Sequence, residues 1–212
     1  MIECYLLTRK DKKEYSEIWV KNNTSIKFED YLKIRLVEDY LNKNKDLLKQ
    51  KTSALNNIDF AYETNKEYID SHDNKIKLDK IDIYVNKLGL QKEWQGHSDP
   101  YFAIECKRIK KLADTANYIS DIQNFCNRNY IKTRLLFEGQ IAFIENAEIT
   151  HSQLSKKINE KLPIEVITEN PLNAVFISDK YDGTYLSKHK RKNQLSFSIY
   201  HLLLDYSEIV VN

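Results

Sequence analysis

The order of apolar and polar side chains along the chain predicts a protein that mixes helices and strands. Some segments carry apolar residues at helical spacing, and others alternate apolar and polar positions as β-strands do. The predicted elements are a strand or irregular arm over 1–20, a helix over 27–50, strands over 58–63 and 67–70, a turn at 71–76, a strand over 80–86, a loop over 87–100, a strand over 101–107, a helix over 112–130, a strand over 139–145, a helix over 150–161 and a strand over 173–178. This order favours an α/β fold with a central mixed β-sheet flanked by helices.

Composition narrows the kind of protein. The chain has 212 residues, of which 42% are hydrophobic and 30% charged, and this is typical of a single globular domain. The formal net charge is only +2, so a nucleic-acid partner would have to meet locally concentrated positive charge. The four glycines lack the spacing of dinucleotide or P-loop sites, and the three cysteines form no zinc or disulfide pattern. We find no signal peptide and no apolar run of membrane-spanning length, so we expect a cytoplasmic protein.

Two of the predicted strands carry charged side chains that can meet. Asp82 lies on one face of the strand over 80–86, and Glu105 and Lys107 share a face of the strand over 101–107. If these strands pair, the three side chains converge at one edge and form a site of the kind that Mg²⁺ prefers. The alternative is an ordinary internal ion pair between adjacent strands.

The setting of Glu105 and Lys107 distinguishes them from other acids and lysines at the same spacing. An acid followed two positions later by lysine occurs three times, beginning at Asp11, Asp73 and Glu105. Only Glu105 lies in an otherwise apolar strand, where a charge is costly unless it is paired or metal-bound. Asp79 is a rival to Asp82 that we rank second, and we expect Glu63 to be a solvated acid.

These residues resemble the PD-(D/E)xK nuclease superfamily, which has the restriction-endonuclease-like fold. The resemblance rests on Ile81-Asp82 and, after a loop, Glu105-Cys106-Lys107, and it covers about 28–145. It implies a single nuclease domain over 1–212, with 146–212 as a C-terminal extension. The family's proline before the aspartate is replaced by isoleucine. The helix after the lysine also lacks Q-x-x-x-Y, which argues against the exonuclease branch that carries this motif.

The resemblance implies a role for each matched residue. Asp82 and Glu105 would ligate Mg²⁺ or Mn²⁺, and the backbone carbonyl of Cys106 could add a ligand. Lys107 would orient or deprotonate the attacking water and offset charge on the phosphate. Because a lysine beside a divalent cation can have a lowered pKa, Lys107 would suit a base near neutral pH.

Many members of the superfamily add a carboxylate from the first helix, here the one predicted over 27–50 with Thr24 or Ser25 as its N-cap. The candidates are Glu29 and Glu38, which fall on opposite sides of the helix. Glu29 lies on the apolar face, where an acidic side chain is unexpected unless it has a specific role, so we favour it as a fourth catalytic residue. Its alternative role is that of a capping acid in the first turn.

The tail joins a basic stretch at 188–192 to an apolar segment at 197–204. Strand alternation would place Tyr185, Ser187, His189 and Arg191 on one face, so His189 and Arg191 are candidate phosphate contacts. The alternative is a solvated, lysine-rich loop before an apolar helix.

Together these features predict a metal-dependent nuclease that hydrolyses phosphodiester bonds in DNA, plausibly a component of a defence or restriction system. Its partners would be nucleic acid and, for specificity, a second copy or another protein, since the core and tail leave little room for a separate reading domain. The alternatives are an RNA-cleaving effector nuclease of the same fold and a non-catalytic nucleic-acid-binding or assembly module.

Overall fold

The computed structural model describes residues 1–49, 58–87, 101–130, 135–192 and 195–211. Its helices are α1 Ile2–Lys10, α2 Glu17–Asn23, α3 Phe28–Arg35, α4 Asp46–Lys49, α5 Thr115–Asn127 and α6 His151–Glu165. Its strands are β1 Tyr15–Ser16, β2 Ile58–Asp70, β3 Ile76–Lys87, β4 Tyr101–Ile109, β5 Arg128–Tyr130, β6 Phe137–Ile144, β7 Thr168–Ala174, β8 Thr184–Lys190, β9 Ser196–Asp205 and β10 Val210–Val211. Within these residues, none of the helices has both the length and the apolar character needed to cross a bilayer.

A single mixed sheet organises the described part of the chain. It has eight strands in the order β5-β2-β3-β4-β6-β9-β8-β7, and β1 pairs with β10 beside it. Strands β4, β6 and β9 run parallel to one another, whereas the other neighbours are antiparallel. The predicted α/β architecture with a central mixed sheet is therefore confirmed. The segment expected to extend the core at 146–212 contributes β9, which lies directly beside β6 inside the sheet.

Helices cover both faces of the sheet. One core joins α1, α3 and the residues after α3 to one face, and it includes Leu32, Leu36, Ile104, Cys106, Ile141 and Phe143. A second core joins α5 and α6 to the other face, and it includes Ile119, Ile122, Leu154, Ala142, Ile144 and Leu203. Successive residues of β6 alternate between the two cores, as expected for a strand buried on both sides.

Strands β3 and β4 pair over only part of their length. Their register joins Ile83 to Ile104 at one end and Asn86 to Tyr101 at the other. Before Ile83, β3 pairs only with β2, and beyond Ile104, β4 pairs only with β6. The strands therefore fork, and the first residues past the last pair are Asp82 and Glu105.

The N-terminal prediction is wrong. Residues 1–20 form helices α1 and α2 around the short strand β1, not a strand or irregular arm. Helix α1 buries Ile2, Cys4, Tyr5 and Thr8, and the Thr8 hydroxyl donates to the Cys4 carbonyl. Because this buried stripe includes a threonine and is followed by a run of charges, the apolar pattern alone does not identify the helix.

The helix predicted over 27–50 is present but interrupted. Lys27, not Thr24 or Ser25, is the N-cap of α3, because Thr24 ends α2 instead. A π-helical segment, Leu36–Leu41, follows α3 and precedes α4. Its wider turn is consistent with the four buried side chains of this segment, Leu36, Val37, Tyr40 and Leu41.

Most other predicted elements are confirmed with shifted ends. Strands β3, β4 and β6 contain nearly all of the predicted strands, and β2 joins the two strand pieces expected before the turn at 71–76. The strand predicted over 173–178 is wrong beyond its first two residues, because β7 begins at Thr168 and ends at Ala174, and the apolar segment 197–204 is strand β9. The predicted loop over 87–100 lies outside the described residues apart from Lys87, the last residue of β3.

His189 and Arg191 do not form an exposed basic strip. They share a side with Ser187, as alternation predicts, but all three side chains are buried. Ser187 shares 2.7 Å hydrogen bonds with His189 and His201, and His201 is bonded in turn to the Tyr118 hydroxyl at 2.8 Å. Because this strip faces α5 and α6 instead of solvent, it is a buried polar chain and not a phosphate-binding surface.

Arg191 is the buried partner of an acid. Its guanidinium donates to the Glu138 carboxylate at 2.7 Å and to the Phe125 carbonyl at 2.6 Å, and Glu138 is fully buried. The Arg191 guanidinium also stacks 4.2 Å from the Phe197 ring centre. The Arg191 guanidinium is therefore engaged by the protein itself, next to the end of β8.

Acid should destabilise the fold through this polar chain. Burial lowers the pKa of His189 to about 4 and that of His201 well below its usual value. Below the unfolded value of about 6.5, the unfolded chain takes up these protons more readily than the folded chain, so each histidine should cost on the order of 1 kcal/mol of stability by about pH 5.5. Urea unfolding of the wild type, His189→Gln and the exposed control His72→Gln across this range would measure the effect. An equal pH dependence in all three proteins would contradict it.

Candidate functional site

Asp82 is held at the fork by donors from two different elements. Its Oδ2 accepts the backbone N–H of Cys106 at 2.9 Å, and its Oδ1 accepts the Lys33 ammonium at 2.8 Å. The Cys106 side chain is packed in the hydrophobic core. Since the N–H and C=O of one strand residue lie on the same edge, the Cys106 carbonyl also faces the fork.

Glu29 occupies the next position along the same edge. Its Oε2 accepts the backbone N–H of Arg108 at 3.1 Å, and its Oε1 lies 3.4 Å from Lys107 Nζ. The carboxylates of Asp82 and Glu29 thus satisfy two N–H groups of β4 where β3 has diverged. The first-helix acid predicted from the sequence is therefore at the site, whereas Glu38 is exposed.

Lys107 lies between two acids. Its Nζ is 3.3 Å from Asp121 Oδ2 on α5, as well as 3.4 Å from Glu29. Burial lowers the pKa of Lys107. The negative charges of Asp121, Glu29, Asp82 and Glu105 raise it by more than burial lowers it, so the pKa lies above its usual value. The lowered pKa expected from the sequence concerns Lys107 beside a bound divalent cation, so it stays a prediction for the metal-bound site.

Glu105 is buried, with 8% of its surface exposed. Its charge contributes to the raised pKa of Lys107. Together with burial and with Asp82, it also raises the pKa of the Cys106 thiol on the opposite side of the strand. All three residues predicted to converge, Asp82, Glu105 and Lys107, therefore lie close enough to interact.

Lys33 joins the site from α3 and was not predicted. Only 1% of its surface is exposed, and its ammonium donates to Asp30 at 2.9 Å as well as to Asp82. Glu63 lies 3.7 Å from it and pairs with Lys80 at 2.8 Å, so Glu63 is part of the cluster and not a solvated acid. Burial lowers the pKa of Lys33, but the carboxylates of Asp82 and Asp30 raise it above its usual value.

The Arg108 side chain of β4 contacts both α2 and α3, and α3 carries Glu29. Its guanidinium donates two hydrogen bonds to Glu17 of α2, at 2.9 and 2.7 Å, and also pairs with Glu145. It lies 4.4 Å from the ring centre of Phe28, the first residue of α3. Hydrogen bonding to Arg108 lowers the pKa of Glu17 to about 2. This anchor fixes the start of α3, and therefore Glu29, against β4.

Asp121 and Lys33 could have been found by the argument that identified Glu29. Asp121 lies between Tyr118, Ile122 and Phe125 on the buried stripe of α5, where an acid needs a partner. Burial raises its pKa to about 6, although Lys107 lowers it. Asp79, the rival to Asp82, pairs instead with Arg128 on the far side of β2.

An open pocket gives access to Lys107. It has a volume of about 310 Å³ and is lined by Glu29, Lys107, Asn117, Ser120 and Asp121. A larger open pocket of about 570 Å³ adjoins it through Glu29, and Lys21, Ser25 and Lys27 are among its lining residues. The site is therefore reachable from solvent along the side of α3 that carries Glu29.

The donor set suits a hard divalent cation. Its carboxylates are Glu29, Asp30, Glu63, Asp82, Glu105 and Asp121, and they outnumber the ammonium groups of Lys33, Lys80 and Lys107. Carboxylate oxygens are the ligands that Mg²⁺ prefers. Over the described ranges, however, no three His, Cys, Asp or Glu side chains already stand together as a metal-holding group. The Oδ1 atom of Asp82, a candidate ligand for such a cation, is paired with the Lys33 ammonium at 2.8 Å.

Comparison with protein-family models, curated proteins and solved structures gives no significant match to the chain. The function of the site is therefore inferred from its own residues.

The Lys33–Asp82 pair should be essential to stability. Lys33→Met leaves the partly buried carboxylates of Asp82 and Asp30 without their cation and should lower the free energy of unfolding by about 3 kcal/mol. Lys80→Met, which removes an exposed lysine of the same cluster, should cost less than about 1 kcal/mol. Adding Asp82→Asn to Lys33→Met should recover part of the loss. Denaturant unfolding measures all three effects, and equal costs for the two lysines would contradict the assignment.

Proposed function

We propose that the chain is a Mg²⁺- or Mn²⁺-dependent nuclease of the PD-(D/E)xK type, with a restriction-endonuclease-like fold, that hydrolyses phosphodiester bonds in DNA. The observation that carries the proposal is the gathering of Asp82, Glu105 and Lys107 at the fork between β3 and β4. Charged residues in neighbouring buried strands are costly, and their gathering beside an open pocket that Lys107 lines favours a chemical role.

The elements around the fork support the same proposal. Helix α3 precedes the antiparallel strands β2, β3 and β4, and α5 then leads to β6, which runs parallel to β4. This is the order of the core to which the sequence is similar. Glu29, the helix acid that the resemblance makes a candidate, contacts Lys107.

Each residue would have a distinct role in hydrolysis. Asp82 and Glu105, with the Cys106 carbonyl, would hold the cation, which when bound supplies a more acidic water and neutralises phosphate charge. Lys107, placed between Glu29 and Asp121, would contact the phosphate or the attacking water. Glu29 would keep the Lys107 ammonium in place while its other oxygen remains on the Arg108 N–H.

The substrate would approach beside α2 and α3. His189 and Arg191 are buried, so the phosphate contacts proposed for them have to come from other residues. Lys21 and Lys27 are exposed and line the pocket that adjoins the site through Glu29. These lysines would supply the local positive charge that a chain of net charge +2 otherwise lacks. A second copy or a partner protein would supply sequence specificity.

Nuclease activity can be tested against matched controls within the chain. Supercoiled plasmid, linear duplex, single-stranded DNA and structured RNA are incubated with Mg²⁺, Mn²⁺ or EDTA. We expect metal-dependent cleavage of DNA that falls at least about 100-fold in Asp82→Ala and Lys107→Ala. Asp73→Ala and Lys75→Ala, which alter an exposed acid-x-lysine at the same spacing, should retain full activity.

The outcomes of this test separate the alternatives. Cleavage confined to RNA would replace DNA by RNA as the substrate. Cleavage that survives both site substitutions would show that the assigned residues are not the catalytic ones. Metal-independent binding of nucleic acid without cleavage would favour a non-catalytic module.

Glu29 and Glu38, the two acids of the helix predicted over 27–50, provide a second comparison. Glu29→Gln removes the charge that holds Lys107 and should reduce the cleavage rate by about 10-fold or more. Glu38→Gln changes an exposed acid nine residues further along the same region and should leave the rate unchanged. Circular dichroism would verify that both variants are folded. Equal rates for the two variants would mean that Glu29 only caps the helix and the strand edge.

A further inference from the structure

Lys33 stands where a cation at Asp82 would have to bind. We propose that Lys33 is an internal competitor for the metal site, and that a divalent cation binds by displacing its ammonium from Asp82 onto Asp30 and Glu63. This inference rests on the proposed function, because it concerns the same carboxylate. It adds a positioning residue on α3 that controls how tightly the site takes up a metal.

The two oxygens of Asp82 are not equivalent. Oδ2 accepts the Cys106 N–H at 2.9 Å, and this backbone donor has to be satisfied where β4 has lost β3 as a neighbour. Oδ1 is therefore the oxygen that can turn to a new partner, and Lys33 Nζ lies 2.8 Å from it. The ammonium and a divalent cation would compete for the same atom.

Displacement does not leave Lys33 without partners. Its side chain is too buried to reach solvent, so it has to keep an acid within reach. Asp30 Oδ1 is already bonded to it at 2.9 Å, and Glu63 Oε1 lies 3.7 Å away. Glu63 has a left-handed backbone with φ of 55°, which is uncommon and costly for a non-glycine residue within a strand. Strained backbone at this position favours a functional reason for the placement of its carboxylate.

The proposal predicts that substitutions of Lys33 and of Asp30 have opposite effects on metal affinity. Removing the ammonium group should strengthen metal binding, because the cation no longer competes with a positive charge. Removing the charge of Asp30 should weaken metal binding, because Lys33 would then depend more strongly on Asp82. If Asp30 acts only through Lys33, its substitution should have no effect once Lys33 is gone.

Titration calorimetry with Mn²⁺ and metal-stripped protein, without nucleic acid, tests these predictions independently of catalysis. We expect Lys33→Met to bind Mn²⁺ about 10-fold more tightly than wild type, and Asp30→Asn to bind it several-fold more weakly. The double variant should match Lys33→Met. Lys80→Met, which removes an exposed lysine paired with Glu63, should change the affinity by less than about 3-fold. Asp82→Ala should abolish the binding.

Each other outcome overturns the proposal in an identifiable way. Unchanged or weaker binding in Lys33→Met, with binding still lost in Asp82→Ala, would reject the competition and leave the metal site intact. An equal loss from Asp30→Asn with and without Lys33 would make Asp30 a ligand instead. No binding in wild type or in Lys33→Met would reject both this inference and the metal-dependent function. If Lys33→Met does not fold, Lys33→Gln retains a donor to Asp82 without the charge and replaces it in each comparison.

Discussion

Backbone hydrogen bonding at the edge of β4 is the constraint from which the site follows. Past Ile104 this strand no longer has β3 beside it, yet the N–H groups of Cys106 and Arg108 still point into the fork. Buried backbone donors have to be satisfied, and here carboxylates replace the missing strand. Asp82 and Glu29 are thereby drawn into a partly buried position, where each needs a cation for its second oxygen. Lys33 and Lys107 meet that need, and the charged cluster is complete.

The cluster contains more acidic side chains than a purely structural pairing with its lysines would require. A single lysine for each capping acid would suffice, but Asp30, Glu63, Glu105 and Asp121 add further negative charge. Burial raises the pKa of Asp121 to about 6, which shows the cost of keeping another acid here. Accumulated charge of this kind supports the proposal that the cluster binds a cation, and the neighbouring pocket is open to solvent.

The sequence predicts the sheet and the main acids well because both depend on short-range alternation. Asp82 and Glu105 interrupt apolar strands, and Glu29 interrupts an apolar helix face, so each is visible locally. Lys33 and Asp121 were missed although they interrupt similar faces, because one charged residue at a helical position is easily assigned to solvent. The same limit explains His189 and Arg191. Alternation groups them correctly on one face, but only β9 and the helices above it decide that this face is buried.

The C-terminal strands have a part in the site although they contribute none of its charges. Helix α5 carries Asp121, and the Tyr118 hydroxyl one turn earlier is hydrogen-bonded to His201 of β9. The Gln140 side chain of β6 donates to the Tyr118 carbonyl at 2.7 Å. These two contacts fix the height of α5 over the sheet, and with it the distance from Asp121 to Lys107. The buried polar chain through Ser187 and His189 thus supports α5, which carries Asp121 at the site. This support gives a reason for the place of β9, which follows residues 28–145 in the sequence but lies inside the sheet.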